Sequence, residues 1–235
     1  MSTGSTGNSL LDVLPQEEFK YVQERLQLVQ LAAGQTLSTQ GEAVDYVYFP
    51  TTALVSCRAG GSQGEVIEIY AVGHEGVVEP ASILTSIAAV NAEVQIAGDA
   101  YRIRIDEICT LIRKTTELPR VLLRFAYSLA VRMVQATNCT MFHTVRQRLV
   151  LWLLLAHRSH GTVIPCTHQA IADALGTRRA SVTLELNSLC EEGILTQQRG
   201  RVTITNHAQL EHASCECYQL IKAGYKPELE CELIR

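Results

Sequence analysis

No apolar run in the sequence is long enough to cross a bilayer. The longest, Leu149 to Ala156, spans about two helical turns, against the roughly 20 residues that a spanning helix needs. Also missing are a Walker A loop, an HExxH pair and a G-x-S-x-G elbow, which removes the common nucleotide-hydrolysing, metalloprotease and serine-hydrolase readings. No enzymatic activity is expected. The opening MSTGSTGNSL has neither the basic start nor the apolar core of a secretion signal. Residues 1–13 are expected to be a loose tail, and the cytoplasm is the expected location.

There is no CxxC among the eight cysteines, at 57, 109, 139, 166, 190, 215, 217 and 231, so no paired zinc knuckle is legible. They read as reduced, mostly structural thiols, and no metal site and no certain cofactor is assigned. Cys215 and Cys217 are the one close pair. As exposed thiols they offer a rival reading, a redox switch.

An excess of positive charge is missing too: the net formal charge is −4. Its distribution says more than its sum. Residues 1–115 hold 7 Lys/Arg against 14 Asp/Glu, whereas residues 143–212 hold 7 against 5 and six of the seven histidines. An acidic front half joined to a mildly basic back half permits nucleic-acid binding by the second part.

After a short helix from Pro15 to about Arg25, runs rich in β-branched residues alternate with glycine turns: Leu26–Gln30, Tyr46–Phe49, Ala53–Arg58, Val66–Ala71, Ala92–Ala97 and Ala100–Ile105. That spacing suggests an antiparallel barrel or jelly roll over residues 14–116. From Glu117 the period becomes helical. Leu122, Phe125, Leu129, Met133, Ala136 and Thr140 form a stripe about six turns long over residues 117–143, placed to pair with a second copy. The alternative is that the stripe packs on its own barrel. A core helix from about Thr144 to His157 follows.

The stretch from Thr167 to Leu195 carries the functional signal. Thr167 can cap a helix from His168 to Leu175, and Gly176 supplies a left-handed turn. A second helix runs from about Arg178 to Glu192, with Val182, Leu186 and Leu189 on its buried side. Two short helices across a glycine turn, the second opening on basic and hydroxyl residues, are what a helix-turn-helix requires. Ile194 to Ile204 then reads as a β-hairpin wing with Arg199 and Arg201 at its tip, able to meet phosphates. The competing reading is a winged helix used for protein contacts alone.

The chain resembles the Crp–Fnr (cyclic AMP receptor protein) family of bacterial regulators over roughly Leu14 to His207. The resemblance rests on Val145-Arg-Gln-Arg-Leu149, Gln169-Ala-Ile-Ala and Gly176-Thr-Arg-Arg-Ala-Ser-Val182, with Val47-Tyr-Phe-Pro50 and Val72-Gly-His-Glu-Gly76 in support. It implies an α+β protein: an N-terminal cyclic-nucleotide-binding-like β jelly roll that senses an effector, a long dimerisation helix, and a C-terminal winged helix-turn-helix over residues 144–212. Residues 213–235 form an extension. The implied partners are palindromic double-stranded promoter DNA, a second copy of the chain and RNA polymerase, and no membrane.

By the same resemblance Arg179 takes the place of an arginine that reads guanine, and Arg178 and Ser181 face phosphates. Thr167 and His168 lie near the backbone, and Thr183 is grouped with these contacts. Ala180 stands where a glutamate is frequent and Leu184 where some members have arginine, so both could meet thymine methyls. In the sensor half, the cyclic-nucleotide members hold a ribose with glutamate and the cyclic phosphate with arginine. Glu79 keeps the first role, but Asn91 and Ala92 replace the Arg-Ser pair. An ordinary cyclic AMP pocket is therefore not expected, because a buried phosphate would lack its cation. The effector is unknown. No cysteine precedes Cys57, which excludes the family's N-terminal iron–sulfur type, and His74 reads as a turn histidine rather than a haem ligand.

Overall fold

The computed structural model describes residues 5–60 and 66–224. In chain order it has α1 (Ser9–Asp12), α2 (Gln16–Gln23), β1 (Gln27–Leu31), β2 (Thr36–Ser38), β3 (Tyr46–Pro50), β4 (Leu54–Gly60), β5 (Val66–Val72), α3 (Ser82–Thr85), β6 (Asn91–Ile96) and β7 (Gly98–Arg104). Then follow α4 (Ile105–Lys114), α5 (Glu117–Phe142), α6 (Val145–His160), β8 (Val163–Ile164), α7 (His168–Leu175), α8 (Arg179–Glu191), β9 (Leu195–Gln198), β10 (Arg201–Ile204), α9 (His207–His212) and α10 (Glu216–Gly224).

Two antiparallel sheets, ordered β1-β7-β3 and β2-β6-β4-β5, make the front half. Their inward residues, among them Val47, Phe49, Val55, Val72, Val94 and Ile103, join one apolar core with helix residues Ile108, Leu118 and Phe125. Burying such side chains contributes about 1.5–3 kcal/mol each. Gly98 is needed where β7 starts, because a Cβ there would meet the backbone of Thr52 and Ala53 at 2.5–2.6 Å. Likewise a Cβ on Gly76 would enter the ring of Phe125, which fixes how closely the turn after β5 approaches α5.

Residues 5–13 are not the loose tail expected. Asn8 is fully buried, caps α1 through its side-chain oxygen, and donates from Nδ2 to Pro50 O at 2.8 Å and Gly76 O at 2.9 Å. A buried amide with each hydrogen-bonding group matched holds this segment against the jelly roll. The strand expected over Ala100–Ile105 is present and ends one residue earlier, at Arg104, and a helix for which no element was expected, α4, follows it. Asp106 and Glu107 in its first turn and Arg113 and Lys114 in its last complement the helix dipole.

The start of α5 is held from a distance. Both carboxylate oxygens of Glu18 accept backbone N–H groups of Thr116, Glu117 and Leu118 at 2.9–3.1 Å, satisfying donors that a helix leaves open. Of the apolar stripe on α5, Leu122, Phe125 and Leu129 are 4–6% exposed and belong to the jelly-roll core. They are not available to a second copy. A different row is exposed, Leu123, Tyr127, Ala130, Val134, Thr137 and Met141, stepping alternately by four and three residues. Met133 is 39% exposed and Ala136 half-buried, while Thr140 is exposed.

The back half has its own core of Leu149, Leu153, Ile171, Val182, Leu186, Leu189, Val202 and others. Thr144 and Gln147 form a reciprocal capping box that starts α6 cleanly after the α5–α6 break at His143. No helix among the described residues is long and apolar enough to cross a membrane.

Candidate nucleic-acid interface

Thr167 caps α7 by accepting Ala170 N, and Gly176 closes it in the left-handed region at φ 56°. The chain re-enters helix at once, with Arg178 as N-cap and Arg179 as first residue of α8. Val182, Leu186 and Leu189 face inward at 0% exposure, so the opposite face of α8 is free. That face carries Arg179, Ala180, Leu184 and Asn187, all exposed, with Leu184 at 70%. Leu184 therefore contributes nothing to the core and is free to meet a partner.

The motif that opens the back half has structural work to do here. The Arg146 guanidinium meets the Glu192 carboxylate at 2.7 Å and Ser188 Oγ at 3.1 Å, gripping the far end of α8. Arg148 donates to the Leu175 carbonyl at the end of α7. Together they set the angle between the two helices.

His168 and Thr183 are less open than the sequence suggests. His168 Nδ1 lies 2.9 Å from Thr183 Oγ1, and its Nε2 lies 2.7 Å from Gln197 Oε1 on β9. Both side chains are half-buried, and Thr183 Oγ1 also donates to Arg179 O at 3.0 Å. They brace α7, α8 and the wing against one another. Gln197 is the member that sequence reasoning missed. Its place in a strand at the right alternation was the only available signal.

The wing is a real hairpin, with Arg201 opposite Gln198 and Gly200 at φ 72° completing a two-residue turn. Arg199 and Arg201 are exposed on this hairpin, Arg178 and Thr167 are exposed at the starts of α8 and α7, and Ser181 is half-buried. Two exposed guanidiniums at the start of α8 and two on the wing are groups suited to phosphates and base edges.

Between the halves, Glu68 on β5 accepts from Ser56 on one oxygen and from Trp152 Nε1 of α6 at 3.2 Å on the other. His74 is half-buried and its Nδ1 lies 3.2 Å from Ser159 O, which makes it part of this inter-half contact. In the front half, Glu79 is 3% exposed, at φ 50°, and its Oε1 accepts Val90 N at 2.7 Å. Burial pushes its pKa up from the usual carboxylate range, partly opposed by that backbone hydrogen bond. Asn91 Oδ1 accepts Gln40 N at 3.0 Å, and Ala92 is fully buried on β6.

Cys215 and Cys217, expected as exposed thiols, are 4% and 0% exposed. They face Cys139 and His143, and four donor atoms from these residues lie within 4.8 Å of one another. No metal ligands are legible in the sequence at this place. Two pairs some 70 residues apart converge only in the fold, and the i, i+4 pairing of Cys139 with His143 was the local signal.

Residues 147–213 match the model of the Crp-like helix-turn-helix domain. The chain is 25% identical over 196 residues to the global nitrogen regulator of Synechococcus elongatus, covering 79% of this chain and 88% of that one. It is 24% identical to the global nitrogen regulator of Nostoc sp., over 73% and 82%. Among solved structures, FixK2 from Bradyrhizobium japonicum superposes with a TM-score of 0.69 at 16% identity, over 81% of this chain and 98% of that one. A CRP/FNR-family transcriptional regulator from Thermus thermophilus superposes at 0.65 and 18% identity, over 80% and 98%. The matched segment and the superpositions agree: residues 147–213 are similar to the Crp-like helix-turn-helix domain, and the chain as a whole has the fold of the solved CRP/FNR-family regulators.

Proposed function

We propose that the protein binds palindromic promoter DNA as a parallel homodimer, α8 entering the major groove and the wing lying along the backbone. The observation that carries this reading is the free face of α8, with Arg179, Ala180 and Leu184 exposed over a packed opposite side. Arg179 is assigned to base edges, Arg178, Ser181, Arg199 and Arg201 to phosphates, and Ala180 with Leu184 to thymine methyls. Thr167 lies at the flank. His168 and Thr183 act as braces that hold the reading helix.

The exposed row Leu123, Tyr127, Ala130, Val134, Thr137 and Met141 supports dimerisation along α5, because its four-three stepping is the coiled-coil period. Two copies joined this way present two reading helices, which favours a two-fold symmetric operator. Any effector held near Glu79 is a small molecule other than cyclic AMP, since an amide already bonded to backbone and a core methyl stand where a phosphate clamp would be. The division into sensor (14–116), dimerisation helix (117–143), DNA-binding part (144–212) and extension (213–235) is proposed on the same grounds, with RNA polymerase as the partner on DNA.

Selection of bound duplexes from a random pool tests the reading. A recovered palindrome, with half-sites about one helical turn apart, or a multiple of it, is the expected result. Recovery of no common sequence at moderate salt would refute it.

A further inference from the structure

The C-terminal end of α5 and the start of α10 bring Cys139, His143, Cys215 and Cys217 into one cluster. Cys139 Sγ lies 3.8 Å from Cys215 Sγ. His143 Nδ1 lies 3.4 Å from Cys139 Sγ and 3.6 Å from Cys217 Sγ. A zinc ion with Zn–S of about 2.3 Å and Zn–N of about 2.0–2.1 Å in a tetrahedron separates two sulfurs by about 3.8 Å and sulfur from nitrogen by about 3.6 Å. The one sulfur–sulfur and two sulfur–nitrogen distances above lie within about 0.2 Å of those edges, and all four donor atoms lie within 4.8 Å of one another. From this geometry we infer that the protein holds one zinc ion on Cys139, His143, Cys215 and Cys217, a site that staples the C-terminal helix to the hinge between α5 and α6.

The surroundings suit such an ion. His143 Nε2 lies 3.2 Å from Glu216 Oε1, so the neutral ring donates Nε2–H to the carboxylate and keeps the lone pair of Nδ1 for the metal. Asn138 Nδ2 donates to Cys217 Sγ at 3.6 Å, a hydrogen bond that stabilises thiolate. Cys217 sits in the first turn of α10, where the helix dipole favours negative charge. The three sulfurs are 0–4% exposed, whereas Glu216 is open to solvent and marks the entry side. Binding is ordinary exchange with no redox partner. Zinc(II) replaces three thiol protons, which leave to solvent, and the neutral imidazole adds its lone pair. An iron–sulfur cluster is a poorer fit, because several irons would spread the thiolates further apart. A disulfide is the competing use of Cys139 and Cys215, which stand here as unbonded thiols 3.8 Å apart.

The consequence concerns placement of the DNA-binding half. His143 is the C-cap of α5, and Thr144 caps α6 directly after it. α10 packs against both helices. A metal at this point ties the dimerisation helix, the hinge and the extension together.

The test uses the full chain, purified reduced and titrated with zinc alone and with cobalt(II) as a spectroscopic probe. One zinc per chain and a tetrahedral thiolate–cobalt absorption are expected. Cys217→Ser and His143→Gln should each abolish stoichiometric zinc retention, and Glu216→Gln should weaken it by about 10–100-fold. Should a ligand variant fail to fold, the wild-type cobalt spectrum still decides. The proposal is overturned if the reduced, folded wild type takes up neither ion at micromolar concentration, or if cobalt enters only an octahedral site. Zinc retention unaffected by Cys217→Ser, or a Cys139–Cys215 disulfide in protein purified without reductant, would overturn it as well.

Discussion

Glu75, in the turn after β5, and Arg132, in the middle of α5, form an ion pair of 3.5 Å with only 8% and 6% of their side chains exposed. The same carboxylate accepts Ser159 Oγ of α6 at 3.0 Å and Gly73 N at 3.2 Å. Arg132 also donates to Ala71 O at 2.9 Å. One buried charge pair therefore touches the front-half sheet, the long helix α5 and the first helix of the back half, α6. Glu75→Ala strips a buried guanidinium of its carboxylate and should cost about 3–5 kcal/mol. The paired change Glu75→Gln with Arg132→Met should cost less, since no charge is then left buried. Urea unfolding followed by Trp152, the single tryptophan, measures both. Equal losses in the single and double variants would show that the stranded guanidinium carries no extra cost.

Which side of α5 the sheet covers decides where a dimer seam can lie. Val134 is 64% exposed and lies in the four-three row, so Val134→Glu should yield folded monomers with weak DNA binding. Leu129→Glu buries a charge in the jelly-roll core, and it should unfold the sensor half instead. Sedimentation and far-ultraviolet circular dichroism separate the two. A wild-type monomer at micromolar concentration would sink the proposed dimer.

This helix also shows where the sequence was ambiguous. It has two apolar rows, one at Leu122, Phe125 and Leu129 and one at Leu123, Tyr127 and Val134, both at helical spacing. Periodicity alone cannot say which row the sheet covers. The helix-turn-helix was legible because its signals are local: a Thr167 cap, left-handed Gly176 and one buried row in α8. The jelly roll was legible from alternating runs between glycines, but α4 was not, because its β-branched Ile105 continues the preceding strand without a break. The cluster at Cys139 was out of reach because its halves meet only through the packing of α10 on α5.

Glu79 gives the front half a pH signature. Its folded pKa is raised above the usual carboxylate value of about 4.3, so the folded chain keeps a proton that the unfolded chain releases. Stability should therefore fall as pH climbs from the unfolded value through the raised folded one, then level off. Glu79→Gln preserves an acceptor for Val90 N and should remove this fall, leaving the variant more stable than wild type at neutral pH. Thermal melts across about pH 4 to 8 check it, and a parallel profile in both proteins would contradict the assignment.

Cyclic nucleotides should bind poorly. Asn91 and Ala92 bring no positive charge to the place where a cyclic phosphate would lie, and Ala92 is wholly inside the core. Calorimetry with cyclic AMP and cyclic GMP should show no dissociation constant at or below the micromolar range. Tight binding of either would mean that another cation reaches the pocket.

The two arginines at the start of α8 should separate into two kinds of DNA contact. Arg179 is the first helical residue and Arg178 its cap, and both are exposed. A step of one residue turns a helical side chain by about 100°, so only one of them can point along the groove floor. Arg179→Ala should cost roughly 1–3 kcal/mol on the selected palindrome and relax preference at one base pair per half-site. Arg178→Ala should weaken all sequences alike and lower the salt slope by about one per contacted phosphate. Titration of both variants against single-base-substituted operators at several salt concentrations measures each effect. If Arg178→Ala changes base preference while Arg179→Ala weakens every sequence equally, the two roles are exchanged. If neither changes affinity, α8 does not enter the groove.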